Sequence, residues 1–211
     1  MCIRDSPKAA QVADALLQLS EGFQDKMLEV RNNFGTPWGH IDVAVSRWLP
    51  KGVEESIKME TAEKELILQV SKSILRVVAE LTKNSLKAYG IINGASVDPS
   101  RIREDAVVRI NAHVLDADQS AREQVDLGKL QLQEGESIVQ LSVSDRAGGL
   151  AIPLEQALRE GISTFGTSGT GLTEISETLG RLRADFRFEN DPGRGLTAKI
   201  WVPGKRGVGS C

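Results

Sequence analysis

Three short stretches of this chain carry residue types whose spacing could do chemistry. In "ELTKNSLKA", residues 80–88, Glu80 and Asn84 stand one helical turn apart and set a carboxylate and an amide beside an apolar stripe. In "QLSVSDRAGGL" a strand pattern ends at Asp145 and runs straight into small residues. Backbone can approach a ligand closely there while the carboxylate accepts a hydrogen bond from it. In "GTSGTGL", residues 166–172, glycine-rich backbone leads into a helical pattern, so free N–H groups and the positive end of a helix dipole would suit phosphate oxygens. Each stretch also has a plainer reading: boundary polar residues, a structural turn and a flexible linker. The glycine loop is not a Walker loop, since no Gly-Lys-Ser/Thr follows, and its spacing and preceding strand are wrong for a dinucleotide fingerprint. Ser168 and Thr170 have no His/Asp partner pattern and are not read as nucleophiles.

The elements that must position these residues are read from periodicity. Leu66, Ile67, Val70, Ile74, Val77, Val78 and Leu81 recur at three- and four-residue steps, which predicts an amphipathic helix from about Glu55 or Thr61 to Tyr89. With Leu81 at the centre of the stripe, Asn84 falls roughly 60° and Glu80 roughly 100° to the same side. Upstream, Val12, Leu16, Leu19, Phe23 and Val30 keep helical spacing between Pro7 and Arg31, until "NNFGTPWG" breaks the run. Ile41, Val43 and Val45 alternate as a strand through Trp48, before "LPKG" turns the chain. Downstream of the long helix, a loop to about Glu104 leads to a strand in "AVVRINAHVL". A polar stretch from Asp116 to Gly135 and a second strand in "SIVQLSVSD" follow. A short helix near Pro153, a helix from about Leu172 to Leu182, and a hairpin of "ADFRFEN" and "LTAKIWV" joined by "DPGRG" complete the chain. Strands and helices interleave without regular alternation. The expected fold class is therefore α/β, a two-layer sandwich with a mixed, mostly antiparallel sheet and helices on one face.

Composition narrows the functional classes. With 211 residues, 40% hydrophobic and 26% charged, the chain can bury a core of ordinary domain size. A net charge of -3 gives no electrostatic reason to expect nucleic acid or an anionic membrane as partner. No run approaches the roughly 18 apolar residues of a membrane span. Cys2 and Cys211 form no metal-ligand spacing. Arg181, Arg183, Arg187 and Arg194 alternate with acids and read as a solvated face. Residues 1–6, "MCIRDS", read as a non-native scar, so the chain is expected to be a fragment; residues 7–34 read as a helical segment and residues 204–211 as a tail.

The order of the pieces is more specific than any one of them. Glu80 with Asn84 on a helix, Asp145 with Gly149 after a strand, Gly169, Gly171 and Leu172 at a helix start, and the closing "PGRGLTAKIWVP" resemble the GHKL, or Bergerat-fold, ATP-binding domain. That domain is shared by histidine kinases, DNA gyrase, the heat-shock chaperone ATPase, mismatch-repair ATPases and mitochondrial dehydrogenase kinases. The resemblance covers roughly residues 38–203. It implies ATP and Mg²⁺ as cofactors, with Asn84 coordinating the Mg²⁺ and Lys87 reaching a phosphate. Asp145 would accept the hydrogen bond of the adenine amino group, with Gly149 leaving room for the base. Gly169, Thr170, Gly171 and Leu172 would wrap the phosphates under a lid of about residues 153–168. Thr197, one residue beyond the threonine position of the family's Gly-x-Gly-Thr ending, is the candidate to substitute there. Three positions depart from the pattern: Ala147 and Thr167 stand where glycines are usual, and Leu196 where a threonine is usual.

Glu80 resembles the catalytic glutamate of the ATP-hydrolysing members and the dehydrogenase kinases, as general base on a water or a substrate hydroxyl. "SDRAGGL" and the long loop after Tyr89 also resemble the dehydrogenase kinases, whereas the short lid and "STFGTSGTGLTEISETLGRL" resemble bacterial sensor kinases. The resemblance therefore implies the catalytic domain of a histidine-kinase-like protein that phosphorylates a protein acceptor outside this chain. That acceptor would be a His-bearing helical domain or a response regulator. The alternatives are a dehydrogenase-kinase-like protein acting on a Ser-bearing partner, and a degenerate nucleotide-binding module without turnover. His40 and His113 both fall in strand patterns and read as sheet histidines. A cytoplasmic location, or a mitochondrial matrix one for the first alternative, and a homodimer through preceding helices complete the expectation.

Overall fold

The computed structural model describes residues 36–37, 45, 47–61, 67–68, 72–94, 96–158 and 171–204, all within the compact unit Gly35–Cys211. Five strands, β1 (Ile57–Thr61), β2 (Val108–Leu115), β3 (Ser137–Ser144), β4 (Asp185–Asp191) and β5 (Gly195–Gly204), form one sheet in the order β1-β2-β3-β5-β4. The β1–β2 pair is parallel and the other three pairs are antiparallel. Helices α1 (Lys72–Ala88), α2 (Ala117–Arg122), α3 (Leu127–Leu130), α4 (Leu154–Ala157) and α5 (Gly171–Arg181) surround it. The fold is thus the mixed, mostly antiparallel α/β arrangement that the sequence pattern predicts. Among the described residues, no helix is long and apolar enough to cross a membrane.

Strand alternation decides which face holds the core. Val108, Ile110 and Ala112 of β2, Val139, Leu141 and Val143 of β3, and Ala198, Ile200 and Val202 of β5 project to one side. There they bury Ile74, Val77, Val78 and Leu81 of α1 and Ile175 and Leu179 of α5. The α1 stripe is therefore the one read from the sequence, but the helix starts later. Ile57–Thr61 is a strand, because Ile57 and Met59 alternate with exposed Lys58 and Glu60 and pair along β2. Ile67–Leu68 is likewise extended, paired antiparallel with Thr36–Pro37, and so does not belong to the helical stripe. The strand expected at Ile41–Trp48 is not found where it can be checked, since Val45 is helical and Trp48 lies in a turn. The helix expected over Pro7–Arg31, and His40, lie outside the described residues.

The stretch Asp116–Gly135, read as a polar separator, instead contains α2 and α3. Asp116 and Gln119 close α2 as a reciprocal capping box, and Asp126 caps α3. This segment folds over the second face of the sheet. Leu130 packs there with Leu115, Ile138 and Trp201, and the Trp201 indole N–H donates to Gln140 Oε1 at 3.1 Å. Arg183 and Arg187, expected on a solvated face, serve the same region. Arg183 donates to the carbonyls of Leu130 and Gln131 and pairs with Glu136 at 2.7 Å, and Arg187 lies over the Trp201 ring at 5.6 Å.

Asp185 anchors this segment. Its buried carboxylate accepts from the Asp126 N–H at 2.9 Å and from Lys129 Nζ at 2.9 Å. Burial alone would raise the Asp185 carboxyl, but those two donors together hold it below its ordinary value of 3.8. A depressed carboxyl contributes stability that is present above the unfolded value and is lost as pH falls through the folded one. Asp185→Asn is accordingly expected to cost about 1–2 kcal/mol at neutral pH, discounted because Lys129 is largely exposed. It should also flatten the loss of stability below about pH 4, as read by urea unfolding at a series of pH values.

Candidate functional site

The site is built where the end of β3 meets the start of β5 and the last turns of α1. Asp145 follows β3 directly, and its N–H still continues the ladder by donating to the Leu196 carbonyl at 3.0 Å. Its carboxylate takes three donors. Oδ1 accepts from the Ala147 N–H at 3.0 Å and from the Leu196 N–H at 3.4 Å, while Oδ2 accepts from the Ser85 hydroxyl at 2.6 Å. Neither Ser85 nor Tyr89 was singled out as a site residue from the sequence, yet these two tie α1 to the turn. The Tyr89 hydroxyl accepts from the Arg146 N–H at 2.7 Å and donates to the Val107 carbonyl at 3.3 Å. Burial raises the Tyr89 phenol above 10.0, opposed by the Arg146 N–H and reinforced by the charges of Asp145 and Asp105.

Two glycines set how closely the backbones approach. Gly149 has φ +71°, and a Cβ there would fall 2.6 Å from Asn190 Oδ1 and 2.8 Å from the Asp191 carbonyl. Asn190 is the reason: its side chain accepts from the Leu150 N–H at 2.7 Å and donates back to the Leu150 carbonyl at 3.3 Å, clasping the segment after Asp145. Gly195 lies so near the Asp145 carbonyl that a Cβ would stand 2.0 Å from its oxygen. Gly148 also takes a positive φ, whereas Ala147 does not, so alanine at that position carries no backbone strain. The departure at Leu196 is equally harmless at Asp145, since only the Leu196 backbone is used there, and any residue supplies it. Beside this turn a cleft of about 550 Å³ opens between Ala147–Pro153 and the hairpin turn at Pro192–Gly193. Its lining comes from those two segments and Asn190, not from Glu80, Asn84 or Asp145.

The remaining predicted residues fall as follows. Glu80, Asn84 and Lys87 are half-buried on the flank of α1 beside its core face, with Asn84 next to Ser85 in the chain. Glu80 pairs with Lys83 at 3.7 Å, and Lys87 stands in the last turn, where its charge also complements the helix C-terminus. Gly171 and Leu172 open α5, with Leu172 packed at the edge of the core. Thr197 lies opposite Ser144 on β5, one residue beyond the Leu196 contact to Asp145. Gly169, Thr170, Thr167 and the lid from residue 159 onward lie outside the described residues. The structure thus brings Asp145, Gly149 and the start of β5 together and joins them to α1 through Ser85. His113 lies within β2, opposite Gln140, as the strand reading predicts.

No family model matches the chain, and no curated protein matches it. Solved structures do match. Full-length ShkA in complex with AMPPNP is similar over 82% of this chain at 15% identity, with a TM-score of 0.50. The chain shares its fold with that histidine kinase. It spans 32% of ShkA. The mycobacterial sensor histidine kinase MprB is also similar, at 16% identity and a TM-score of 0.47, over 78% of this chain and 95% of that one. The Asp145 turn, the α1 flank and the start of α5 are the elements that the sequence resemblance marks out.

Proposed function

We propose that this chain is the ATP- and Mg²⁺-binding catalytic domain of a histidine-kinase-like protein, transferring the γ-phosphoryl group of ATP to a protein acceptor outside the chain. The observation that carries this reading is the Asp145 carboxylate, fixed by Ser85 and two backbone N–H groups in a glycine-lined turn, in a fold shared with a kinase that holds AMPPNP. A carboxylate held this way is an oriented acceptor for the amino group of adenine. The donor chemistry also suits a shared cation. Among the described residues no cluster of three His, Cys, Asp or Glu side chains could hold a metal by itself. Mg²⁺ is commonly held by one or two protein oxygens plus the substrate phosphates and water.

In this reading Asn84 offers its amide oxygen to the cation, and Lys87 and the N–H groups at the start of α5 hold phosphate oxygens. Bound Mg²⁺ would neutralise charge developing on the phosphates during transfer. Glu80, with a side chain 40% exposed and only loosely paired, is free to take the proton of an incoming nucleophile. His113, set within a strand, is not the acceptor; that group belongs to a helical domain or a response regulator. Calorimetric titration with ATP in the presence of Mg²⁺ and of EDTA tests the reading. Wild type is expected to bind tighter with Mg²⁺, and Asn84→Ala should lose that difference. Glu80→Gln should keep binding but lower turnover by about 10²-fold or more. ATP binding that is indifferent to Mg²⁺ in wild type would overturn the metal assignment.

A further inference from the structure

The hydrogen bonds around Asp145 are unequal in origin. Both partners of Oδ1 are backbone groups that any sequence would supply, whereas Oδ2 is held by the Ser85 side chain at 2.6 Å. The terminal torsion of a carboxylate is broad and roughly two-fold, and because it turns both oxygens together, the Ser85 bond adds a side-chain restraint to the two backbone bonds on Oδ1 and narrows the swing of the plane. Ser85 is 6% exposed, in the middle of the core face of α1, and its short contact commits the hydroxyl hydrogen to Asp145. With that hydrogen committed, the pair offers only lone pairs to an approaching group. An exocyclic amino group is accepted, and a carbonyl oxygen in the same place is repelled. Four residues on, just past the end of α1, Tyr89 holds the N–H of Arg146, so α1 and the residue that follows it grip two consecutive residues of the turn.

We propose that Ser85 is a positioning residue that sets the selectivity of the site for an amino-bearing nucleobase, acting through Asp145. The inference rests on the reading of Asp145 as the base anchor given above. It also registers the two ends of the nucleotide, because the helix that orients Asp145 is the one that carries Asn84 on its flank.

The test compares two nucleotides on the full chain by calorimetry: ATP, and purine riboside triphosphate, which has hydrogen in place of the 6-amino group. Ser85→Ala is a mild change, since alanine is the best helix former, and it should leave the fold in place. The expected result is a loss of about ten-fold in ATP affinity with purine riboside triphosphate affinity unchanged, so that the ratio of the two collapses. A merely structural role would lower both affinities alike and leave the ratio intact, and that outcome overturns the inference. Asp145→Asn separates the two layers of the argument. If it abolishes the preference while Ser85→Ala keeps it, Ser85 has no positioning role and the base reading stands. If wild type shows no preference for ATP, the base reading fails and the Ser85 inference fails with it.

Discussion

Gly195→Ala is expected to be the most damaging single methyl in the described part of the chain. A Cβ at this position would lie 2.0 Å from the Asp145 carbonyl oxygen, 2.9 Å from its carbon and 3.0 Å from Arg146 Cα. All three are backbone atoms, so no side chain can rotate away, and relief requires splaying the end of the β3–β5 ladder. The splay would break both bonds between Asp145 and Leu196, the backbone one that continues the ladder and the Leu196 N–H that holds Oδ1 of the carboxylate. The expected cost is at least about 3 kcal/mol, a fall of roughly 6–12 °C in Tm for a domain of this size. Gly149→Ala should behave similarly for a second reason, because it adds a positive φ to contacts of 2.6 and 2.8 Å. Gly180 is the control. It lies within α5 with nothing inside 4 Å of a built Cβ, so Gly180→Ala should stabilise by about 0.5–1 kcal/mol. Thermal unfolding of the three variants checks the set, and a Gly195→Ala Tm within about 2 °C of wild type would contradict the close approach.

The same geometry shows why parts of the site were legible in the sequence and others were not. Asp145 and Gly149 could be read because their requirement is local: a carboxylate at a strand end and glycines where φ turns positive. The stripe of Val77, Val78 and Leu81 was legible because burial on one face repeats at the helical period. Strand β1 was absorbed into that helix, since the five residues of "IKMET" are too few to separate period two from period 3.6 beside a strong helical run. The capping box of Asp116 and Gln119 was visible as a spacing but passed over within a polar stretch. Ser85 falls four residues after Leu81, at the centre of the stripe, where a small polar residue is easily discounted as a gap. A buried hydroxyl needs a partner, and that is the signal that would have found it. Asn190 carries no such signal. Its role depends on Leu150, 40 residues away in the chain, which only the tertiary fold brings into reach.

Asp145→Asn tests the chemistry that this geometry supports. ATP at about 100 times Kd should add roughly 2.7 kcal/mol to the stability of wild type. The substitution keeps the shape of the side chain but removes the charge and replaces one acceptor oxygen with a donor. Loss of a charge-assisted bond to the base corresponds to binding weaker by about 10- to 100-fold. At the same ATP concentration the stabilisation then falls to between about 1.4 and 0.4 kcal/mol. The variant also loses charge-assisted bonds to Ser85, Ala147 and Leu196 without ligand, so each protein is compared with its own ligand-free unfolding curve. This keeps a weakened turn from being mistaken for weakened binding. A full ATP shift in Asp145→Asn would mean that the carboxylate serves the turn and not the base. No shift in folded wild type up to millimolar ATP would mean that the fold has kept the turn while losing the ligand for which its acceptors are arranged.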